Sequence, residues 1–170
     1  MAGLLACSAG IDAASAQAPT LHPRSVEIGV AGSLTSVEGT TQGRIQVRGG
    51  PFLAFGPGLT GLQAEIGFTR ARSLKQLDLQ GMISWQMAIG DSGVWPYLGA
   101  GGGVQHEWLG SFRTARYPLG IDAGVRVLLG SLAGIRTEYR YRRFLSDPVR
   151  DTNEHQIILG ISLFLNNRPE

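Results

Sequence analysis

Polar and apolar residues alternate along most of this chain, most clearly between Leu119 and Arg143. From Leu119 to Leu129 every second residue is apolar. After a break at 130–133, a file of Arg and Glu residues alternates with a file of Ile, Thr and Tyr residues. Because successive side chains of a β-strand point to opposite faces, this pattern predicts two strands, each with one apolar and one polar face.

The same period predicts eight strands in the whole chain. They cover about 25–34, 42–55, 62–70, 76–89, 95–108, 119–129, 135–143 and 154–165. Several exceed the usual strand length of about 5–6 residues and reach the roughly 9–11 residues that a tilted strand needs to cross a membrane. We therefore predict an all-β fold over residues 25–165, an eight-stranded antiparallel up-and-down transmembrane β-barrel with lipid outside and a polar lumen.

The predicted connections differ in length. Tight, Gly-rich turns are expected at 56–61, 90–94 and 130–133, and longer loops at 109–116 and 145–153. Short turns on one rim and longer loops on the other match the periplasmic and external ends of a bacterial barrel.

The inward file of the predicted barrel carries many charges. An eight-stranded barrel is just wide enough inside for its side chains, and an uncompensated buried charge costs several kcal/mol, so these charges are expected to pair. A gated ion path is the alternative. The predicted lumen network comprises Glu27, Arg44, Arg48, Glu65, Asp78, Asp122, Arg126, Arg136, Glu138, Arg140 and Arg142.

The hairpin at the centre of the pattern allows few registers, because both of its strands have an assigned inward file. One register makes two opposite-charge pairs, Arg126–Glu138 and Asp122–Arg142. A shift by two residues places Arg126 opposite Arg136, which it would repel. We therefore predict direct contacts in both opposite-charge pairs.

Composition agrees with a membrane barrel. Charged residues make up 16% of the chain, below the roughly 25% of soluble domains, and 25 of its 170 residues are Gly. There is no apolar run of about 18 residues, so no transmembrane helix is predicted. A net charge of +2 without a Lys-rich stripe argues against nucleic acid as a partner. The single Cys7 excludes an internal disulfide framework.

No catalytic, cofactor or metal site is predicted. The Gly cluster 99–103 lacks the third Gly of a dinucleotide fingerprint and a following Lys-Ser/Thr. His106, Glu107 and Ser111 could suggest hydrolysis, but no second acid is placed to orient the histidine. The histidines at 22, 106 and 155 lack the spacing of metal ligands. We therefore expect a protein that is not an enzyme.

The N-terminal 1–18 segment is rich in Ala, Ser and Leu and is interpreted as a partial signal peptide cleaved near Ala16. Cleavage after Ala18, a lipoprotein box ending at Cys7 and a disordered leader are the alternatives. The missing positive region suggests a start codon placed too late. Residues 19–24 are expected to be a disordered lead-in, and 166–170 a short periplasmic tail.

Basic residues gather at the predicted external ends of the strands. Arg binds phosphate in a fork, so weak, salt-sensitive contact with lipopolysaccharide is predicted, with simple snorkelling at the interface as the alternative. The residues are Arg70, Arg72, Lys75, Arg113, Arg116, Arg143 and Arg150.

Distinctive motifs lie at Pro96–Gly103, Arg136–Tyr141 and Gly160–Leu165, and together they resemble the small outer-membrane β-barrel family of the outer membrane protein A or X type. Pro96–Gly103 is similar to its Pro-Tyr-x-Gly-Ala-Gly strand, Arg136–Tyr141 to its seventh strand and Gly160–Leu165 to its closing strand. The family's closing strand usually ends in an aromatic residue, whereas here Leu165 stands there and five residues follow. The resemblance implies assembly by the barrel insertion machinery in a Gram-negative type outer membrane.

The predicted function is a structural or surface-interaction role for a monomeric barrel, with lipid and lipopolysaccharide as partners and no cofactor. Three alternatives remain at this stage. They are a narrow ion-conducting pore, a lipid A-modifying enzyme and a soluble lipocalin-like carrier. The last needs an apolar interior, which the alternation contradicts.

Overall fold

The computed structural model describes residues 19–37, 39–71, 74–145 and 153–167. Each strand pairs antiparallel with its neighbours, and the first strand pairs with the last, so the sheet closes into a barrel. Among the described residues, the short Phe112–Arg116 segment pairs on one side only. The strands are β1 Val26–Val37, β2 Thr40–Phe55, β3 Gly58–Ala71, β4 Leu74–Gln86, β5 Val94–Leu109, β6 Phe112–Arg116, β7 Pro118–Leu128, β8 Ala133–Phe144 and β9 Asn153–Leu165.

Segments β6 and β7 are two parts of one barrel strand. Both pair with β5 in a single register, which runs from Gln105 opposite Arg116 to Gly102 opposite Leu119. The nine segments therefore make eight barrel strands, and the predicted fold class is confirmed. The described residues contain no helix long and apolar enough to span a membrane.

The barrel is apolar outside and polar inside. Among the described residues, thirty-two large hydrophobic side chains are exposed and eleven hydrophobic side chains are buried. Leu98 on the outer wall is 66% exposed, whereas Arg48 in the lumen is 1% exposed. A water-soluble domain does not expose an apolar surface of this extent, so the outer wall is suited to lipid.

The two ends of the barrel are named here by the chain termini. The proximal end carries both described termini and the turns at 56–57, 87–93 and 129–132. At the distal end β1 meets β2, β3 meets β4, β5 meets β6 and β8 meets β9. The intervals between these strand bounds are two residues long, except for the eight residues of 145–152, most of which lie outside the described residues.

The loop predicted at 109–116 is wrong. Leu109 pairs with Phe112, so β5 and β6 form a tight antiparallel hairpin. Gly110 has a φ of 62°, a left-handed conformation that glycine adopts without strain and that closes the turn between the strands in two residues. The prediction missed this hairpin because the segment that follows Gly110 lacks a clear apolar–polar alternation.

The predicted register of the β7–β8 hairpin is also wrong, by two residues. Arg126 lies opposite Arg136, and Glu138 lies opposite Gly124. Both registers keep the same residues inside, so the alternation could not separate them. The observed register places Glu138 beside Gly124, and the Tyr97 ring of β5 lies against Gly124 from the other side, so that its hydroxyl donates to Glu138 at 2.7 Å.

Residues on either side of the barrel strands close the proximal end. Leu21 is 2% exposed, and Asn167 is also buried. The Asn167 side chain accepts a hydrogen bond from the His22 backbone N–H at 2.8 Å and donates to the backbone carbonyls of Thr20 at 3.0 Å and Ser131 at 2.8 Å. The segment expected to be a disordered lead-in is thus packed against the barrel mouth.

Candidate functional site

The lumen is the most unusual environment in the molecule, because it holds twelve buried charged side chains among the described residues. The eleven predicted residues all lie there, and Glu154 joins them. Six are arginines and six are carboxylates, so their formal charges cancel. Glu154 was overlooked because it is the first residue of the predicted strand 154–165. Ten of these charges form a central ring, a distal ring and a proximal cluster. Arg136 lies beside the central ring, with its Nη1 3.9 Å from Glu138, and Asp122 belongs to none of the three groups.

The central ring alternates two arginines with two glutamates. Arg48 contacts Glu65 at 3.0 Å and Glu138 at 2.9 Å, and Arg140 contacts the same two carboxylates at 2.6 Å each. Glu138 also accepts a hydrogen bond from the Tyr97 hydroxyl at 2.7 Å. The ring ties β2 and β3, which pair with each other, to β8 across the lumen, with which neither of them pairs.

The distal ring repeats this arrangement with other residues. Arg44 contacts Asp78 at 2.7 Å and Glu154 at 3.6 Å. Arg142 bonds to both of these carboxylates, with Glu154 at 2.6 Å. Strands β2, β4, β8 and β9 are joined in this way near the distal end.

The proximal cluster is built around Arg126. Its guanidinium contacts Glu27 at 2.9 Å and donates to Gln86. Glu27 also accepts hydrogen bonds from Gln63 and Ser162. The predicted partner of Arg126, Glu138, belongs instead to the central ring, and the predicted partner of Asp122, Arg142, belongs to the distal ring.

Below the proximal cluster, apolar side chains fill the barrel. The Arg126 guanidinium lies 5.1 Å from the Phe52 ring centroid and 5.8 Å from that of Phe164, so it caps this apolar plug with cation–π contacts. The plug consists of Leu21, Phe52, Leu59, Trp95, Leu128 and Phe164.

Sequence reasoning missed the plug, although a signal was present. Phe52, Leu59, Trp95, Leu128 and Phe164 all interrupt the polar inward file at the same end of their strands. Leu21 carried no such signal, because it lies outside any strand.

Asp122 lies in the lumen without a close charged partner among the described residues. It is 4% exposed, and neither carboxylate oxygen has a hydrogen-bond partner among the described residues. A Cβ atom on Gly99 would collide with this carboxylate, so the first glycine of the cluster 99–103 makes room for it. Beside Asp122 and Arg140 lies a cavity of about 10 Å³, which is about the size of one water molecule.

A double-mutant cycle can test the observed register. We expect Arg126→Met and Glu27→Gln to couple by about 0.5–3 kcal/mol in the free energy of unfolding, because their side chains touch. The matching cycle of Arg126→Met with Glu138→Gln should give a smaller coupling. A larger coupling in the second cycle would support the register that the sequence favoured.

The basic residues predicted at the external ends lie at the distal end where the structure describes them. Arg70, Lys75, Arg113 and Arg143 are exposed. Arg116 instead contacts Glu107 at 3.5 Å and stacks on a phenylalanine of β8. Arg72 and Arg150 lie outside the described residues, as do residues 1–18 with the predicted cleavage site.

The residues considered for hydrolysis do not assemble. His106 points to the outer wall, whereas Glu107 faces inward and accepts a hydrogen bond from Gln76 at 2.8 Å. His155 lies on the outer wall too, where its Nδ1 is 2.7 Å from the Tyr139 hydroxyl. No group of three His, Cys, Asp or Glu side chains within the described ranges could hold a metal ion.

The comparisons with known proteins identify the fold. No protein-family model matches the sequence. No curated protein matches it either. Among solved structures, Neisserial surface protein A has a TM-score of 0.59 and 17% identity, and the match covers 82% of this chain and 95% of that one. The N-terminal β-barrel domain of Pseudomonas aeruginosa OprF has a TM-score of 0.60 and 15% identity, covering 84% of this chain and 98% of that domain.

A third structure shows how far function varies on this fold. The outer membrane enzyme PagL matches with a TM-score of 0.53 and 13% identity, covering 79% of this chain and 97% of that enzyme. The fold of our chain is that of the small eight-stranded outer-membrane β-barrels. Because a surface protein and an enzyme share it, function has to be argued from the residues of this chain.

Proposed function

We propose that this protein is an outer-membrane barrel with a sealed lumen and a structural or surface-interaction role. The observation that carries the proposal is the filled interior, where two closed rings of alternating charge lie above an apolar plug. Such an interior leaves the outer wall and the distal end as the surfaces that can meet other molecules.

The orientation follows from the connections. Short turns face the periplasm and longer loops face the exterior in bacterial barrels. The longest interval between strands, 145–152, separates β8 from β9 at the distal end, whereas the other three distal connections are only two residues long. The tail predicted to be periplasmic follows β9 at the proximal end, so we place the distal end outside the cell. The similarity to a Neisserial surface protein supports this location. Fractionation of the envelope, combined with heat-modifiable mobility on gels, tests it, and recovery in the soluble fraction would contradict it.

A sealed lumen should not conduct ions. We expect the refolded protein to give no discrete conductance steps in planar bilayers, although heat-modifiable mobility shows that it has inserted. A pore-forming barrel reconstituted in the same bilayers is the positive control. A unit conductance that changes on Arg140→Ala would favour the narrow pore, because Arg140 belongs to the central ring.

An enzymatic role is not the proposal, because the residues considered for hydrolysis do not assemble. The described hydroxyl and imidazole that do meet, Tyr139 and His155, lie on the outer wall without a carboxylate beside them. The similarity to PagL makes a direct test worthwhile. Mass spectrometry of lipid A from cells with and without the protein should give the same species. A change in acylation would overturn this part of the proposal.

The exposed basic residues at the distal end support contact with lipopolysaccharide. On the proposed orientation, Arg70, Lys75, Arg113 and Arg143 lie at the level of its phosphates. Guanidinium groups bind phosphate in a fork, and exposed charges of this kind are screened by salt. A contact made only by these charges is therefore expected to be weak and to weaken further as the salt concentration rises.

A further inference from the structure

The outer wall carries a groove on β1, β2, β3 and β9, with a volume of about 610 Å³. We propose that this groove binds one acyl chain of lipid A and that Arg70 and Lys75 at its distal end bind the phosphate of the same molecule. The proposal rests on the outer-membrane location proposed above and assigns one lipid contact to a defined site.

Two outward-facing glycines make the groove. A Cβ atom on Gly32 or on Gly43 would meet no atom within 4 Å. Gly32 lies between Ile45 and Leu159 in the sheet, and Gly43 lies beside Leu34. Large apolar side chains thus stand around two positions that have none, which leaves a depression in the distal half of the apolar wall. A second depression, of about 560 Å³, is lined by Leu53, Ile83 and Leu98 and has no basic side chain.

The size and lining of the groove suit a hydrocarbon chain. Ligand sites usually measure about 300–1,000 Å³, and this volume falls within that range. Its walls include Leu34, Ile45, Phe68 and Ile157, each at least 47% exposed. The groove lies in the distal half of the barrel, which on the proposed orientation is the outer leaflet, where lipid A resides.

Two basic side chains at the distal end of the groove favour a lipid with a doubly charged phosphate headgroup. Arg70 lines the groove, and Lys75 lies directly opposite it on β4. Like charges directly opposite on neighbouring strands are destabilising, so an anion that bridges them removes a repulsion. A phosphate monoester carries about −1.5 to −2 charge at neutral pH, which matches two cations. The monoester phosphate of lipid A meets this requirement better than the singly charged phosphodiester of a phospholipid.

The test compares lipid A binding by the full chain and by variants that fill the groove. Gly32→Leu combined with Gly43→Leu should fold, because both positions are open. Gly81→Leu on β4 is the matched control, since it is another outward glycine with no atom within 4 Å of a Cβ. Native mass spectrometry in micelles with purified lipid A, or with phosphatidylglycerol, counts the bound molecules, and heat-modifiable mobility verifies folding.

We expect the filled groove to weaken lipid A binding about tenfold, equivalent to about 1.4 kcal/mol, and Gly81→Leu to leave it unchanged. Arg70→Gln with Lys75→Gln should weaken lipid A binding as well. Wild-type binding by the filled groove, an equal loss in Gly81→Leu or equal binding of phosphatidylglycerol would each overturn the proposal. Failure of the proposed location would show separately, in envelope fractionation.

Discussion

Glu138→Gln should destabilise the folded barrel by about 3–5 kcal/mol, the usual cost of removing one partner of a buried ion pair. Glu138 accepts hydrogen bonds from Arg48, Arg140 and Tyr97. The neutral amide therefore leaves each of the two buried guanidinium groups with one negatively charged partner in the central ring instead of two. The measurement is equilibrium unfolding of the refolded barrel by urea in detergent micelles, followed by tryptophan fluorescence.

Asp122→Asn is the matched control for this substitution. It makes the same acid-to-amide change in the same lumen, but the Asp122 oxygens have no hydrogen-bond partner among the described residues. We expect a cost well below that of Glu138→Gln, because no guanidinium loses a direct contact. Equal costs would mean that net lumen charge, rather than the central ring, determines stability.

Leu79→Arg should cost about 2–4 kcal/mol, because it places a charge on the lipid-facing wall near mid-depth. Leu79 lies between Ile66 and Val104 in the sheet and is 41% exposed on the outer wall. Val125→Arg, also on the outer wall, should behave similarly. The free energy of folding into phospholipid vesicles is the quantity to measure.

Phe112→Arg provides the comparison at the distal end. Phe112 is 77% exposed beside the turn at 110–111, where a charge can reach water. A cost of about 0–1 kcal/mol is expected there. If Leu79→Arg were tolerated as well as Phe112→Arg, the outer wall would not face lipid.

Together these substitutions separate the two halves of the proposed role. The lumen variants test whether the interior is a closed structural element, and the wall variants test whether the exterior meets lipid. The groove variants then ask whether that exterior recognises one lipid in particular.

The faces of the strands could be predicted from the sequence because alternation is a local property. The residue after an inward residue points outward, whatever the strand pairs with. For this reason the eleven predicted lumen charges and the outward file of Leu77, Leu79, Ile83 and Trp85 needed no knowledge of the tertiary structure. Strand number and fold class followed from the same period.

Register and pairing partners required the closed barrel. A shift by two residues keeps every side chain on its face, so the pattern could not separate Arg126 opposite Glu138 from Arg126 opposite Arg136. The choice depended on long side chains that cross the lumen, because Arg126 finds Glu27 on β1, ninety-nine residues away in sequence. Opposite-charge pairing between adjacent strands was therefore the wrong criterion for this hairpin, although it holds for Arg48 and Glu65 on β2 and β3.

The proximal plug shows the same limit. Leu21 lies outside the strands and becomes buried only because the barrel offers an apolar mouth formed by residues from β2, β3, β5, β7 and β9. The groove at Gly32 and Gly43 likewise exists only when their strands pair side by side. The sequence by itself determined which face each strand residue occupies, since that depends on the backbone alone. The tertiary structure decided which residues meet, since that depends on how the closed sheet brings distant strands together.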